Sequence, residues 1–312
     1  MDWVATLLEP LMYPLDPSRR IFIGFIFVAL IMAYFVYRRN SSNTSLSAFL
    51  RYFFDKKIWG HRSSIVDFKL LFVNAAFATL VIAPFVVAKL GVIVYTSSTL
   101  RHEWGMVDGT VLPYWSILLL FTLTLFVVED FNRFIVHFAY HRIPFLWEFH
   151  KVHHSAEVLT PITLYRSHPV EIFISRSASV LCLGIVTGVF VYLFPGQLSA
   201  IEILGVDLLG FIFNALGANL RHSHVPFSFG RFDVWFISPH MHQVHHSRFK
   251  QHHDKNFGSC FSIWDRLAGT LYLPKNNEPL IFGCNNGGKH TLSSQWFSPF
   301  VRLFKNPLQK PG

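Results

Sequence analysis

Charge is scarce in this chain. Only 14% of its 312 residues are Asp, Glu, Lys or Arg, against about 25% in soluble domains. That scarcity excludes an ordinary soluble globule. With 52% hydrophobic residues, 34 phenylalanines among them, it points to an integral membrane protein. Acidic residues are scarcer than basic ones, 18 against 27, which leaves a formal charge of +9. A basic membrane protein places its excess on cytoplasmic loops and against anionic headgroups, so nucleic acid is not implied. Cysteine is nearly absent. Cys182, Cys260 and Cys284 form no CxxC pair and supply no disulfide framework. Gly/Ser linkers and low-complexity tracts are missing too. The "SRRIF" at 18–22 leads into an apolar run with no small-residue cleavage site, so we read a retained helix rather than a signal peptide.

Long apolar runs are abundant, and a spanning helix needs about 20 such residues. Candidates are 21–37, 68–88 with a kink at Pro84 and an apolar extension to Tyr95, 111–128 continuing as helix to about Tyr140, 178–194, and 198–218. Glu202 and Asp207 weaken the last. The expected fold is all-α, with about four to five transmembrane helices beneath a cytoplasmic histidine-rich helical cap that holds a di-metal site. Residues 44–59 carry Leu46, Phe49, Leu50, Phe53 and Phe54 at helical spacing with Arg51, Lys56 and Lys57 around them. They read equally as an interfacial amphipathic helix or as a helix packed on protein.

Arg and Lys set the orientation. Arg38, Arg39, Arg51, Lys56, Lys57, Arg62 and Lys69 follow the first run, and only Lys89 and Arg101 follow the second. Arg133, Arg142, Lys151 and Arg166 follow the third, and the chain past the fifth stays basic. The N-terminus is then outside and the C-terminus inside. Asn43 and Lys310 face the cytoplasm, and Gly196 faces away. Fourteen of the 17 histidines fall on one predicted side, in 137–168 and 222–253.

Those histidines have ligand spacing. "HFAYH" sets His137 and His141 at i and i+4. "HKVHH" sets His150, His153 and His154 at i, i+3 and i+4, and "HQVHH" repeats this with His242, His245 and His246. Each set projects from one side of a helix. Eight imidazoles exceed the four of a typical zinc site and suit two ions of Fe, Cu, Ni or Zn. His222 and His168 bring the count closer to five each, with His224 competing for the place of His222. His61, His102 and His290 carry no such pattern. His240, His252 and His253 flank the site.

Carboxylates are absent from the sets. Soluble di-iron bundles use Glu-x-x-His pairs, and a zincin-type hydrolase needs HExxH; neither occurs. Glu157, Glu171, Asp254 and Asp265 remain as groups to orient an imidazole N–H or as possible ligands. An all-imidazole set leaves the ions' charge uncompensated.

These motifs, in this order and with a membrane hairpin between the second and third, resemble the fatty acid hydroxylase/sterol desaturase superfamily. "HHSAEVLTPITLYRSHPVE" (153–171), "NLRHSHVPFSFG" (219–230), "ISPHMHQVHHS" (237–247) and "NFGSCFSIWDRLAGTLYLP" (256–274) add to the likeness. It covers roughly 130–275 and is nearest in character to the sterol desaturase branch. The resemblance implies two non-haem iron ions, O2 as co-substrate, and hydroxylation or desaturation of a membrane lipid, sterol-like or fatty acyl. It implies the eight box histidines as ligands, with His222 and, less directly, His168. It also divides the chain into N-terminal membrane helices (1–110), a catalytic domain (111–275) and a C-terminal tail (276–312). The haem-binding histidines of a fused cytochrome b5 domain are not present. The implied partner is therefore a separate electron donor, such as a ferredoxin or cytochrome b5 with its reductase. The basic residues Arg221, Arg231, Arg248 and Lys250 read equally as a dock for such an acidic donor or as a surface for lipid headgroups. Two readings compete: a zinc-dependent membrane hydrolase or isomerase, and a metal transporter or sensor. Transport sites lie near the bilayer midplane, where this chain has no histidine.

Overall fold

The computed structural model describes residues 8–107, 112–199, 208–275, 278–284 and 290–305. Its helices are α1 (Ile23–Asn40), α2 (Leu46–Phe53), α3 (Lys56–Trp59), α4 (Arg62–Trp104), α5 (Tyr114–Arg142), α6 (Pro144–His154), α7 (Pro169–Leu193), α8 (Leu208–Ala215), α9 (Pro239–His245), α10 (Ile263–Ala268) and α11 (Leu292–Lys305). Short 3-10 turns join several of them, one at Ala218–His222. Among the described residues no strand forms, only the isolated bridges Phe236–Phe261 and Ser247–Phe282.

Four helices contain segments long and apolar enough to cross a membrane: Ile23–Asn40, Arg62–Leu80, Tyr114–Arg142 and Pro169–Leu193. The fold is thus all-α and membrane-spanning, as expected. The boundaries differ. α4 begins at Arg62 and runs through Pro84 to Trp104, 43 residues in all. At about 1.5 Å per residue it is roughly twice as long as a 30 Å hydrocarbon core is thick. Its first turns therefore rise into the cap, where Ser63, Ser64 and Asp67 are fully buried. α7 starts nine residues before the apolar run at 178, because the polar "PVEIFISRSA" is already helical. Of the fifth expected run, Leu208–Ala215 forms a helix; Glu202 and Asp207 lie outside the described residues, as does Lys310.

α7 packs against both α4 and α5. Gly184 and Gly188 face α4 so closely that an added Cβ would stand 2.8 Å from Val92 and 2.6 Å from Thr96. This is the small-xxx-small contact that lets membrane helices approach closely, where lipid gives no hydrophobic drive. α1 instead packs mainly on α2, α8 and the 218–222 turn. The segment 44–59 packs on protein along one face. Phe49 and Phe53 bury against Ala29, Ala33, Leu220 and Val225, while Leu46, Leu50 and Phe54 remain exposed.

Candidate metal centre

α5 carries His137 and His141 to the cap. The chain then turns at Ile143, which ends α5 and precedes Pro144 at the start of α6. Proline fits the first helical turn, where its missing N–H costs nothing. α6 brings His150, His153 and His154 back beside the first pair, and α9, capped by Ser238, brings His242, His245 and His246.

Nine histidines converge, in two groups. His137, His141, His150, His154 and His245 form one; His153, His222, His242 and His246 form the other. Within each, one ring nitrogen per residue lies within 4.8 Å of all the others. Each HxxHH set is split. His150 and His154 join the first group and His153 the second; on α9 the assignment reverses, with His245 in the first and His242 and His246 in the second.

The outward-facing nitrogens fix the tautomers. Nδ1 of His137, His153 and His245 lie 2.8, 3.0 and 2.7 Å from the carbonyl oxygens of Phe257, Arg166 and Lys255. A carbonyl only accepts, so each Nδ1 holds the proton and each Nε2 keeps its lone pair. Nδ1 of His150 meets Glu171 Oε1 at 2.9 Å. The inward nitrogens crowd one another. Nε2 of His154 is 3.1 Å from both His141 and His245. Nε2 of His222 is 3.2 Å from His153 and 3.1 Å from His242. Nε2 of His137 and of His150 are buried without a partner, which costs about 1–3 kcal/mol each.

A shared cation resolves this crowding. Two nitrogens each about 2.1 Å from one ion stand about 3.0–3.4 Å apart for angles from right to tetrahedral, close to the separations seen. Burial also holds the imidazoles in the neutral, ligating form. It lowers His150 to about 3 and His153 to about 4. His154, His222, His242, His245 and His246 sit well below their usual value, first from burial and then from neighbouring imidazoles. The residues present therefore fit two metal ions.

The carbonyl clamps are themselves held. Asp265 accepts from Phe257 N at 2.8 Å, Gly258 N at 2.7 Å and Thr270 Oγ1 at 2.6 Å. Gly258 is required here, since a Cβ would meet Phe261 O at 2.7 Å. Asn256, at φ 57°, donates to the Met241 and Tyr272 carbonyls. Asp130 accepts from Cys260 N, Phe261 N and Trp264 Nε1, pinning the loop to α5. Arg166, with no exposed surface, donates to Val152 O, Ser155 Oγ and Asp67. Sequence reasoning missed Asp130, Asn256, Arg166 and Asp67, whose partners are mostly far along the chain.

Several expected residues lie elsewhere. His168 joins neither group: its Nδ1 accepts from Val170 N at 3.1 Å, capping α7, and its Nε2 donates to Trp296 O at 3.0 Å. Both nitrogens are thereby engaged. His224 donates to Tyr52 O at 3.0 Å and sits against Tyr52 and Phe53. Glu157 pairs with His290 and Arg62. Asp254 pairs with Arg142 at 3.2 Å and stays 3.8 Å from His141 Nδ1. Only Glu171 among the four carboxylates touches an imidazole of the groups at hydrogen-bond distance. Arg221, expected on a docking surface, is buried.

A fatty acid hydroxylase family model matches residues 122–270. The alkylglycerol monooxygenase of Caenorhabditis elegans is 26% identical over 155 residues, 50% of this chain and 28% of that protein. The ornithine lipid hydroxylase OlsE of Rhizobium tropici is 26% identical over 177 residues, 56% of this chain and 49% of that protein. The human alkylglycerol monooxygenase is 25% identical over 205 residues, 60% of this chain and 42% of that protein. The matched region thus spans less than half the length of each of these relatives. No solved structure gives a significant match. The matched segment contains all nine converging histidines, and over it the chain is similar to the fatty acid hydroxylase/sterol desaturase superfamily.

Proposed function

We propose that the protein is an O2-dependent di-iron monooxygenase that hydroxylates an unactivated C–H position of a membrane lipid, with the metal centre on the cytoplasmic face. The observation that carries this is the pair of buried all-imidazole groups, five and four histidines strong. Its relatives named as monooxygenases and hydroxylases support hydroxylation over desaturation. An unactivated C–H bond has neither an acidic proton nor a leaving group, so side-chain acid–base chemistry has no purchase on it. Bound iron supplies the reductive activation of O2 that such a bond requires.

The chain's own residues hold and shelter that chemistry. The nine imidazoles would hold the ions through inward nitrogens, and the Phe257, Arg166 and Lys255 carbonyls with Glu171 fix four of the rings. This outward bonding orients a ligand and raises its basicity. Eight of the nine imidazoles are buried, which limits the access of water. The reaction consumes one O2, two electrons and two protons per alcohol and water formed, so an electron donor is needed. Exposed Arg231, Arg248 and Lys250 offer it a basic surface; Arg221 does not contribute.

Purified protein in nanodiscs, given a membrane lipid extract, 18O2 and a ferredoxin or cytochrome b5 system, should form a lipid alcohol carrying 18O. Omitting donor or oxygen should abolish it. Product formed anaerobically without a donor sinks this reading and promotes the zinc alternative.

A further inference from the structure

A cavity of about 930 Å³ lies between α1, α5, α8 and the 226–240 segment. That is near the upper end of the roughly 300–1,000 Å³ of small-molecule sites. Its wall is largely apolar, with Phe126, Phe213, Phe227, Phe229 and Phe261 in it. None of the nine converging histidines lines it, but the chain joins it to the four-histidine group. Arg221 precedes His222, and His240 stands two residues before His242; both line the cavity.

Those two residues are unusual for an apolar wall. Arg221 is only 4% exposed. Its Nη2 donates to the carbonyls of Ile237 and Ser259, and its guanidinium stacks 4.6 Å from the Phe213 ring centroid. No carboxylate among the described residues pairs with it; the nearby Asp130 spends its oxygens on Cys260, Phe261 and Trp264. A buried cation whose N–H donors meet only carbonyls is costly, several kcal/mol even after relaxation, and the Asp130 charge offsets part of that. His240, 5% exposed, has a buried Nε2 with no partner. A buried cation with no carboxylate on its N–H groups thus lines this largely apolar cavity, along with His240.

We propose that this cavity binds a long-chain lipid bearing an anionic oxygen group, carboxylate or phosphate, held by Arg221. The alkyl chain lies along the phenylalanine wall between α1 and α8. A guanidinium matches planar or tetrahedral oxyanions through paired N–H donors, and the apolar surroundings strengthen that bond. The site would select lipids by acidic group, next to the metal-bearing turn. The binding claim is independent of the chemistry; only the identification of the bound lipid as substrate rests on the proposed function.

The test is equilibrium binding to full-length protein in nanodiscs of neutral lipid. Oleate, 1-oleoyl lysophosphatidate and the neutral monooleoylglycerol share one chain. Both anions should bind at least about tenfold tighter than the neutral lipid, the scale of one charge-assisted hydrogen bond. A preference confined to one of them names the group as carboxylate or phosphate. Arg221→Gln should erase the preference, Arg39→Gln at the exposed rim should keep it, and Val36→Trp should block all three. Should Arg221→Gln fail to fold, a photoreactive oleate on the unaltered protein decides. Crosslinks to 226–240 support the site; crosslinks only to the lipid-facing sides of α4 and α7 overturn it. Equal affinity for neutral and anionic lipid also overturns it. Anion-selective binding without turnover under full assay conditions leaves the cavity assignment standing and removes the proposed function instead.

Discussion

Nδ1 of His153 lies 3.0 Å from the carbonyl oxygen of Arg166. The Arg166 side chain is in turn the partner of Asp67 at 2.6 Å, both without exposed surface. One residue thus ties an imidazole of the four-histidine group to the first turns of α4. Breaking a buried pair by removing one partner costs about 3–5 kcal/mol, because the other charge stays buried. Asp67→Ala should lower thermal stability on that scale and reduce bound metal, though Asp67 touches no histidine of either group. Thermal unfolding and elemental analysis on one preparation check this.

Metal stoichiometry separates His168 from His222. With both nitrogens of His168 engaged at the α7 start and Trp296, His168→Ala should keep two ions per chain. It should lose about 0.5–2 kcal/mol from the missing cap. His222→Ala should lower the content toward one ion. Loss of metal on His168→Ala alone would return it to the ligand set.

Acid should destabilise the metal-free chain. Burial holds His150 near pKa 3 and His153 near 4 in the folded state, against about 6.5 unfolded. Above about 6.5 neither state takes up protons. Below it the unfolded chain binds protons that the folded one does not, so stability falls as pH drops, and the fall levels off once pH passes the folded values. Each such histidine contributes up to about 1.4 kcal/mol per pH unit. Unfolding of chelator-treated protein between pH 7 and 4.5 should show this loss, and bound metal should suppress it. A flat profile contradicts the depressed values.

Sidedness is checked by labelling single cysteines. Position 43, after the basic end of α1, and position 197, beyond the uncharged end of α7, are both exposed. Asn43→Cys should react only in opened cells and Gln197→Cys in intact ones. The reverse pattern would invert the proposed orientation.

The close approach of α7 to α4 predicts a size limit. Gly188→Leu should disrupt their packing, since even a Cβ would stand 2.6 Å from Thr96 and 2.9 Å from Ile93 O. Gly91→Leu, whose added Cβ would meet nothing within 4 Å, is the control. Comparable loss of folded protein in both would remove the packing explanation.

Much of this was legible in the sequence, for local reasons. Apolar runs longer than the bilayer is thick define spans because backbone polar groups must bond internally in lipid. Histidines at i, i+3 and i+4 share a helix side because the turn is 3.6 residues. What that spacing does not show is the division of labour. Along α6, His153 and His154 fall on opposite flanks of His150, about 100° apart around the axis. Only the packing of a second such helix, α9, against the first gives each flank its own ion position. The same holds for His168, which has the right residue type near the right boxes but whose nitrogens are taken by Val170 and Trp296. Arg221 reads as one more surface charge until the fold closes over it. Residue spacing determined which side chains could bind metal. The tertiary structure decided how they are shared and what holds their far nitrogens, because those partners, Arg166, Lys255, Phe257 and Glu171, meet the rings through contacts that no helical period encodes.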